Sequence, residues 1–385
     1  LLSLFYSSLS IVQFPEAGYA PCPAGGASQI YISGGAAKCL SLRSPLVNKQ
    51  QGQFKMKIAF FSAKTYDREF FEQFKDSYHH DITYFETSLN SLTANLTAGF
   101  DGVCVFVNDK TDRETIEQLS ANGIKLIALR CAGFNNVDIA AATQHNIKVV
   151  RVPSYSPQAV AEHTAALILT LARKTHKAYN RIKEGNFSLE KLMGFNLYGK
   201  TVGVIGTGQI GTAFCKIMLG FGCHVIANDI QESPELKNAG IVYTGFDELV
   251  SQSDIISLHC PLTVATKQLI NKDSLAKAKT GVMLINTSRG ALIDTPQVIA
   301  ALKTGKIGYL GIDVYEQEEN LFFRDLSESV IQDDVFERLM SFHNVLITPH
   351  QAFFTREALE QISKTTLQNC TDFQSGAALK NEVIM

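Results

Sequence analysis

Residues 202–229 read VGVIGTGQIGTAFCKIMLGFGCHVIAND, a pattern that few folds accommodate. A short apolar, β-prone run is followed at once by Gly206-Thr207-Gly208-Gln209-Ile210-Gly211. Next comes a helical stretch with Ala213, Ile217 and Met218 on one side, then a second strand ending in Asp229. Each glycine has a role if the ligand is a dinucleotide. Gly206 permits a tight strand-to-helix turn, Gly208 lets the backbone approach a pyrophosphate, and Gly211 lets the helix pack close to the strand. The free N–H groups at the helix start, on Gln209 and Ile210, then face the phosphates. Asp229 stands where an acid bonds the adenosine ribose hydroxyls. A 2′-phosphate about 4 Å from that carboxylate would be repelled by roughly 1–4 kcal/mol, so NAD is expected rather than NADP. A glycine-rich turn alone could be merely structural. Here the strand before it, the helix after it and the acid beyond it are all present.

The rest of the 385-residue chain sets wide limits. It is 45% hydrophobic and 19% charged, a globular composition long enough for two domains with separate cores. A net charge of −2 gives no basic field for nucleic acid or an anionic membrane. Eight cysteines show no CxxC and no metal-ligand spacing, so structural thiols in a reduced, cytoplasmic protein are expected, with no metal. Residues 1–55 differ from the remainder. They are rich in Ser, Gly, Ala and Pro, with Glu16 the only acid, and no periodicity persists through them. Residues 1–12 are apolar but too short to span a bilayer. The expectation is that folding starts at Met56 and that residues 1–55 form a disordered extension. A targeting segment is the alternative.

From Met56 onward short apolar strands alternate with amphipathic helices. Strands are predicted at 57–63, 81–86, 102–107, 125–130 and 148–152, with helices at 66–76, 113–122 and 136–145 between them. Ser156, a helix cap, and Pro157 open a long helix predicted to run to about residue 184, through Val160, Ala161, Ala165, Ile168 and Leu171. It reads as a hinge and core element. After Asp229, strands are predicted at 241–244, 254–260, 282–286, 309–314 and 345–348, with helices at 247–252 and 296–303 among them. Repeated β-α units give α/β architecture, with parallel sheets covered on both faces. Ligands of such sheets sit at the carboxyl ends of the strands. That rule points at His259, Cys260 and Pro261, at Thr287, Ser288 and Arg289, at Asp313, at the Glu316/Glu318 pair and at His350. Cys260, Pro261, Thr287, Ser288 and Asp313 are expected to border the cofactor.

Three of these positions invite chemistry. Arg289 follows a buried strand, where its planar fork suits a substrate carboxylate; an internal ion pair would explain it equally well. His350 can move a proton near neutral pH, or merely cap a loop. Glu318 could fix the tautomer of a histidine, or belong to an acidic surface loop beside Glu316 and Glu319.

VIGTGQIG, HCPLT, NTSRGALID, GIDVYEQE and TPHQAF, in this order and at these separations, resemble the D-isomer-specific 2-hydroxyacid dehydrogenases. ALRCAGFNNVD, VRVPSYSP and residues 321–339 extend the likeness from Met56 to the C-terminus and tie it to the fermentative, lactate-forming branch. The resemblance implies that Arg289, Glu318 and His350 are catalytic and that Asp229 binds ribose. It places Asp313 near the nicotinamide, makes Ala132 and Gly133 amide donors to the substrate carboxylate, and lines the pocket with Tyr155 and Phe353. It implies two doubly wound parallel-sheet domains facing a cleft: a Rossmann cofactor domain, 156–352, and a flavodoxin-like substrate domain, 56–155 with 353–385. In the last segment Thr355 caps a helix with Leu359, Ile362 and Leu367 on its apolar face. It further implies reversible reduction of pyruvate to D-lactate by NADH, in a homodimer or homotetramer. A bulkier 2-keto acid, or a non-catalytic NAD-sensing binding protein, are the alternatives.

Overall fold

The structure is a computed structural model that describes residues 55–384. The expected disorder of the N-terminal extension therefore lies outside the described residues, apart from Lys55. Two parallel sheets organise the rest. The first contains β1 (Lys57–Phe60), β2 (Asp81–Tyr84), β3 (Gly102–Val105), β4 (Leu126–Leu129) and β5 (Lys148–Val150), in the order β2-β1-β3-β4-β5. That is the flavodoxin-like order. The second contains β6 (Thr201–Ile205), β7 (His224–Asn228), β8 (Val242–Tyr243), β9 (Ile255–Leu258), β10 (Val282–Asn286), β11 (Ile307–Ile312) and β12 (Val345–Ile347). Its order, β12-β11-β10-β9-β6-β7-β8, is the dinucleotide-binding order extended by one strand. The chain thus folds as two parallel α/β domains, as the alternating pattern requires. β3, β4, β9 and β10 are buried along their whole length, which is why they read as mostly apolar runs, with Ser257 and Asn286 the buried polar exceptions.

Register aligns the strand tips. Ile205 pairs with Leu258, Leu258 with Asn286, Asn286 with Ile312, and Ile312 with Ile347. The residues that follow, Gly206, His259, Thr287, Asp313 and Thr348, are therefore brought to one edge of the second sheet.

Most helix boundaries follow their caps. Ser156 Oγ accepts from Ala159 N at 3.2 Å and opens Pro157–Arg173, with Val160, Ala161, Ala165, Ile168 and Leu171 buried. The single helix predicted to residue 184 is instead two. Lys174 adopts a left-handed backbone, φ 53°, and a second helix runs Thr175–Lys183. The Ala172 carbonyl is taken by Phe195 N at 3.3 Å, and Lys174 Nζ bonds Lys191 O at 3.0 Å, so a crossing loop stabilises the break. The helix predicted at 136–145 is Ile139–Gln144, because Asp138 caps it. In Gln209–Gly220 the fully buried side is Gly211, Phe214, Cys215 and Met218; Ala213 and Ile217 are only half-buried.

The last helix, Arg356–Ser375, is capped by Thr355 and returns to the first sheet. Leu359 and Ile362 join the core of that sheet, Asn369 bonds Arg151 O at 2.9 Å, and Val383 N bonds Val149 O at 2.8 Å. The six described cysteines are free and buried. No described helix is long and apolar enough to cross a membrane, and no described cluster of side chains could hold a metal.

Candidate active site

The glycine turn after β6 is built as a cradle. Gly206 has φ +92°, and a Cβ there would lie 2.5 Å from Cys260 N. A Cβ on Gly211 would meet Gly206 O at 2.0 Å, so only glycine lets the helix approach the turn. Gly208 faces open space, with nothing within 4 Å of its would-be Cβ. No side chain caps the helix that starts at Gln209, so the donors on Gln209 and Ile210 remain free for an anion. Asp229, at the end of β7, accepts from Thr207 N at 2.5 Å, from Thr207 Oγ at 3.1 Å and from Gln231 N at 3.0 Å. Burial raises the pKa of this carboxyl, but these hydrogen bonds outweigh it and hold the group below its usual range. The cradle with an ionised acid beside it fits a dinucleotide. Cys260 is buried against the turn, its thiol pushed up to about 11 by burial, so it packs rather than reacts. Pro261 O accepts from Thr266 Oγ at 2.7 Å, and Ser288 Oγ donates to Cys260 O at 2.7 Å, which fixes both loops beside the cradle.

The tips of β10, β11 and β12 meet at a cavity of about 340 Å³. His350 Nδ1 donates to Glu318 Oε1 at 2.8 Å, and Glu318 Oε2 accepts from Tyr315 N at 3.0 Å. The imidazole is thereby oriented with Nε2 as its free end. Glu316 also lines the cavity but makes no bond to His350, so the pair is formed by Glu318. Arg289 reaches the same cavity. Nη1 donates to Ser288 O at 2.7 Å, and among the described residues no carboxylate lies within ion-pair distance of its guanidinium. The internal ion pair is therefore absent, and the cation is left for a ligand. A Cβ on Gly133 would sit 2.6 Å from Arg289 Nη2, so Gly133 is what lets the arginine lie against the first domain.

Ala132, Gly133, Tyr155, Thr287, Ser288, Asp313 and Phe353 border the same cavity. Burial pushes the Tyr155 hydroxyl up to about 12, which keeps it protonated and able to donate. A second histidine, His259, faces the cavity from the tip of β9. Burial lowers its pKa to about 3, so it stays neutral and carries no charge for proton delivery.

Other members of the site are held by contacts that the sequence does not show. Asp313 is fully buried and accepts from Thr348 Oγ at 2.5 Å, Gln351 N at 2.9 Å and Ala352 N at 2.9 Å, pinning the chain on both sides of His350. His163, on the helix Pro157–Arg173, stands 3.4 Å from Asp313 and 3.0 Å from Thr348 Oγ. Thr207 and Tyr243 complete the Asp229 network, with Tyr243 donating to Thr207 Oγ at 2.9 Å. Arg130 supplies a buried guanidinium behind the cavity, held 3.3 Å from Asp67 and between the rings of Phe60 and Phe106. All depend on partners far away in sequence; of the five, Asp313 was expected at the site, and His163, Thr207, Tyr243 and Arg130 had no role assigned.

Comparison with known proteins agrees with this geometry. A family model described as "D-isomer specific 2-hydroxyacid dehydrogenase, NAD binding domain" matches residues 165–352. A "2-hydroxyacid dehydrogenase homolog" of Haemophilus influenzae is 53% identical over 329 residues, which cover 86% of this chain and 99% of the relative. The D-lactate dehydrogenase of Escherichia coli is 51% identical over 329 residues, covering 86% of this chain and all of the relative (100%). A solved structure of a pyruvate reductase of Chlamydomonas reinhardtii superposes with a TM-score of 0.81 at 45% identity, covering 85% of this chain and 98% of that one.

Proposed function

The chain belongs to the D-isomer specific 2-hydroxyacid dehydrogenases and takes NAD as its cofactor, and from that premise we propose that it reduces pyruvate reversibly to D-lactate. The observation that carries this reading is one cavity holding an unpaired guanidinium, Arg289, and a carboxylate-supported imidazole, His350. Gly206, Gly208, Gln209, Ile210, Gly211 and Asp229 would hold the dinucleotide, with Cys260, Pro261, Thr287, Ser288 and Asp313 along its path. When bound, NAD supplies or accepts the hydride at the substrate carbon.

The remaining tasks fall to the chain. Arg289 and the amides of Ala132 and Gly133 grip the carboxylate of the keto acid and polarise its carbonyl. His350, as imidazolium, gives its Nε2 proton to the carbonyl oxygen in reduction and takes it back in oxidation. Glu318 balances the positive charge and fixes the ring. Tyr155 and Phe353 wall the substrate and exclude water. No step calls for a metal, since Arg289 and the imidazolium stabilise the developing charge.

Pyruvate is favoured over bulkier acids by the relatives named for lactate and pyruvate chemistry and by the long segment 321–339. The complete set of Arg289, Glu318 and His350 argues against a non-catalytic NAD-sensing protein. We assign residues 56–155 with 353–385 to the substrate domain and 156–352 to the cofactor domain. A homodimer is supported by Tyr179, Phe187, Leu189, Met193 and Tyr198, large apolar side chains that the chain leaves exposed. Free thiols suit a reducing cytoplasm.

A panel of pyruvate, 2-ketobutyrate, 2-ketoisocaproate and phenylpyruvate, assayed by NADH oxidation, tests the substrate. The expected result is the highest kcat/KM for pyruvate, by roughly tenfold or more over the branched and aromatic acids. A higher value for either of those two overturns the assignment.

A further inference from the structure

Segment 321–339 leaves β11 after Glu318 and belongs to the second domain, yet one of its rings is packed on the first. Phe322 is buried in the second domain beside Phe336, ring centroids 6.0 Å apart, and Phe336 meets Tyr315 at a tilt with centroids 5.2 Å apart. Tyr315 Oη in turn donates to Asp333 Oδ2 at 2.8 Å, so the segment is tied down at both ends. The next residue, Phe323, has φ +61°, a left-handed backbone that a bulky aromatic rarely adopts. Its ring contacts the other domain instead. It meets Phe106, just past β3, edge-on with centroids 5.2 Å apart, and lies 5.9 Å from the imidazole of His350. Phe106 lines the cavity and also touches Phe353 at 6.0 Å. Phe323 itself packs against the cores of both domains. An unfavoured backbone at a cross-domain contact beside the proton donor points to a selected role.

We propose that Phe323 is a positioning residue that sets which 2-keto acids the cavity accepts, by clamping Phe106 of the substrate domain against His350 of the cofactor domain. With the clamp in place, the wall at Phe106 and Phe353 leaves room for a small side chain on the keto acid. Without the ring, Phe106 is free to retreat and longer side chains fit. The Glu318–His350 hydrogen bond does not involve Phe323, so the imidazole keeps its carboxylate partner in the variants. The inference rests on the assignment of this cavity to a 2-keto acid.

The test is a chain-length series on the full-length protein with NADH: pyruvate, 2-ketobutyrate, 2-ketovalerate and 2-ketoisocaproate. Phe323→Ala is compared with Phe323→Leu, which keeps apolar bulk if the alanine variant fails to fold. The expected result is a fall in the pyruvate-to-2-ketoisocaproate ratio of kcat/KM by about tenfold or more for Ala and less for Leu. It should come mainly through KM of the keto acid, with NADH affinity near wild type. A ratio within about twofold of wild type in the folded variants overturns the proposal. So does an equal loss on every acid together with lost NADH binding, the mark of a merely structural ring. If the wild-type protein prefers a bulkier acid over pyruvate, the substrate assignment above fails, while the shift of the profile in the variants still decides the role of Phe323.

Discussion

His350 is held in a left-handed backbone, φ +54°, at the point where the chain leaves β12. For a non-glycine residue that conformation costs about 1–2 kcal/mol, and it persists because its surroundings leave no alternative. Asp313 accepts from the amides of Gln351 and Ala352, Thr348 O accepts from His350 N at 3.0 Å, and Glu318 fixes the ring. The imidazole is thus aimed before any substrate arrives. His350→Ala is expected to lower kcat by about 10²- to 10⁴-fold, the usual worth of positioned proton transfer, with NADH affinity unchanged by fluorescence titration. A variant turning over at the wild-type rate would remove His350 from the chemistry. The sequence singled out Arg289, Glu318 and His350 because each lies in a recognisable motif, Arg289 and His350 just past a strand end and Glu318 in the turn that follows β11. It could not reveal that His163 supports Asp313, since 150 residues separate two side chains that only the fold brings to 3.4 Å.

At the scale of elements, the aligned tips of β6, β9, β10, β11 and β12 place the glycine cradle and the proposed catalytic groups on one edge. Their positions along the chain were legible because buried parallel strands are short apolar runs between helices, and the glycine spacing marks where the ribbon turns. The break at Lys174 was not legible. Neither glycine nor proline marks it, and the partner that stabilises it, the backbone of Phe195, arrives from a loop about twenty residues later. On Gln209–Gly220, Ala213, Ile217 and Met218 do pack on the core, but the fully buried Phe214 and Cys215 were not singled out, because periodicity alone does not rank neighbouring apolar residues. The cradle depends on Gly206. Gly206→Ala would combine a left-handed φ with a Cβ 2.5 Å from Cys260 N. A stability loss above about 1 kcal/mol is expected, read as a drop in melting temperature of more than about 2 °C, with weaker NADH binding. An unchanged melting temperature would mean that the turn does not need its glycine.

Across the whole molecule, two domains meet over one cavity, and the Ser154 Oγ to Gln209 Oε1 hydrogen bond at 2.6 Å joins the substrate side to the start of the cradle helix. On the outer surface, Phe187, Leu189, Met193 and Tyr198 are each at least three-quarters exposed. Covering them with a second copy is the simplest arrangement for so apolar a stretch. Sedimentation of the native chain should therefore give a dimer or a tetramer, and the double variant Phe187→Asp, Leu189→Asp should sediment as a smaller species. A native monomer would rule that interface out. The central claim is that Arg289 and His350 act on a single bound keto acid whose orientation the cavity dictates. It is tested most directly by incubating the protein with NADH and pyruvate and resolving the lactate formed by chiral chromatography. The account predicts D-lactate in amounts equal to the NADH consumed; L-lactate, a racemate, or no NADH consumption would contradict it.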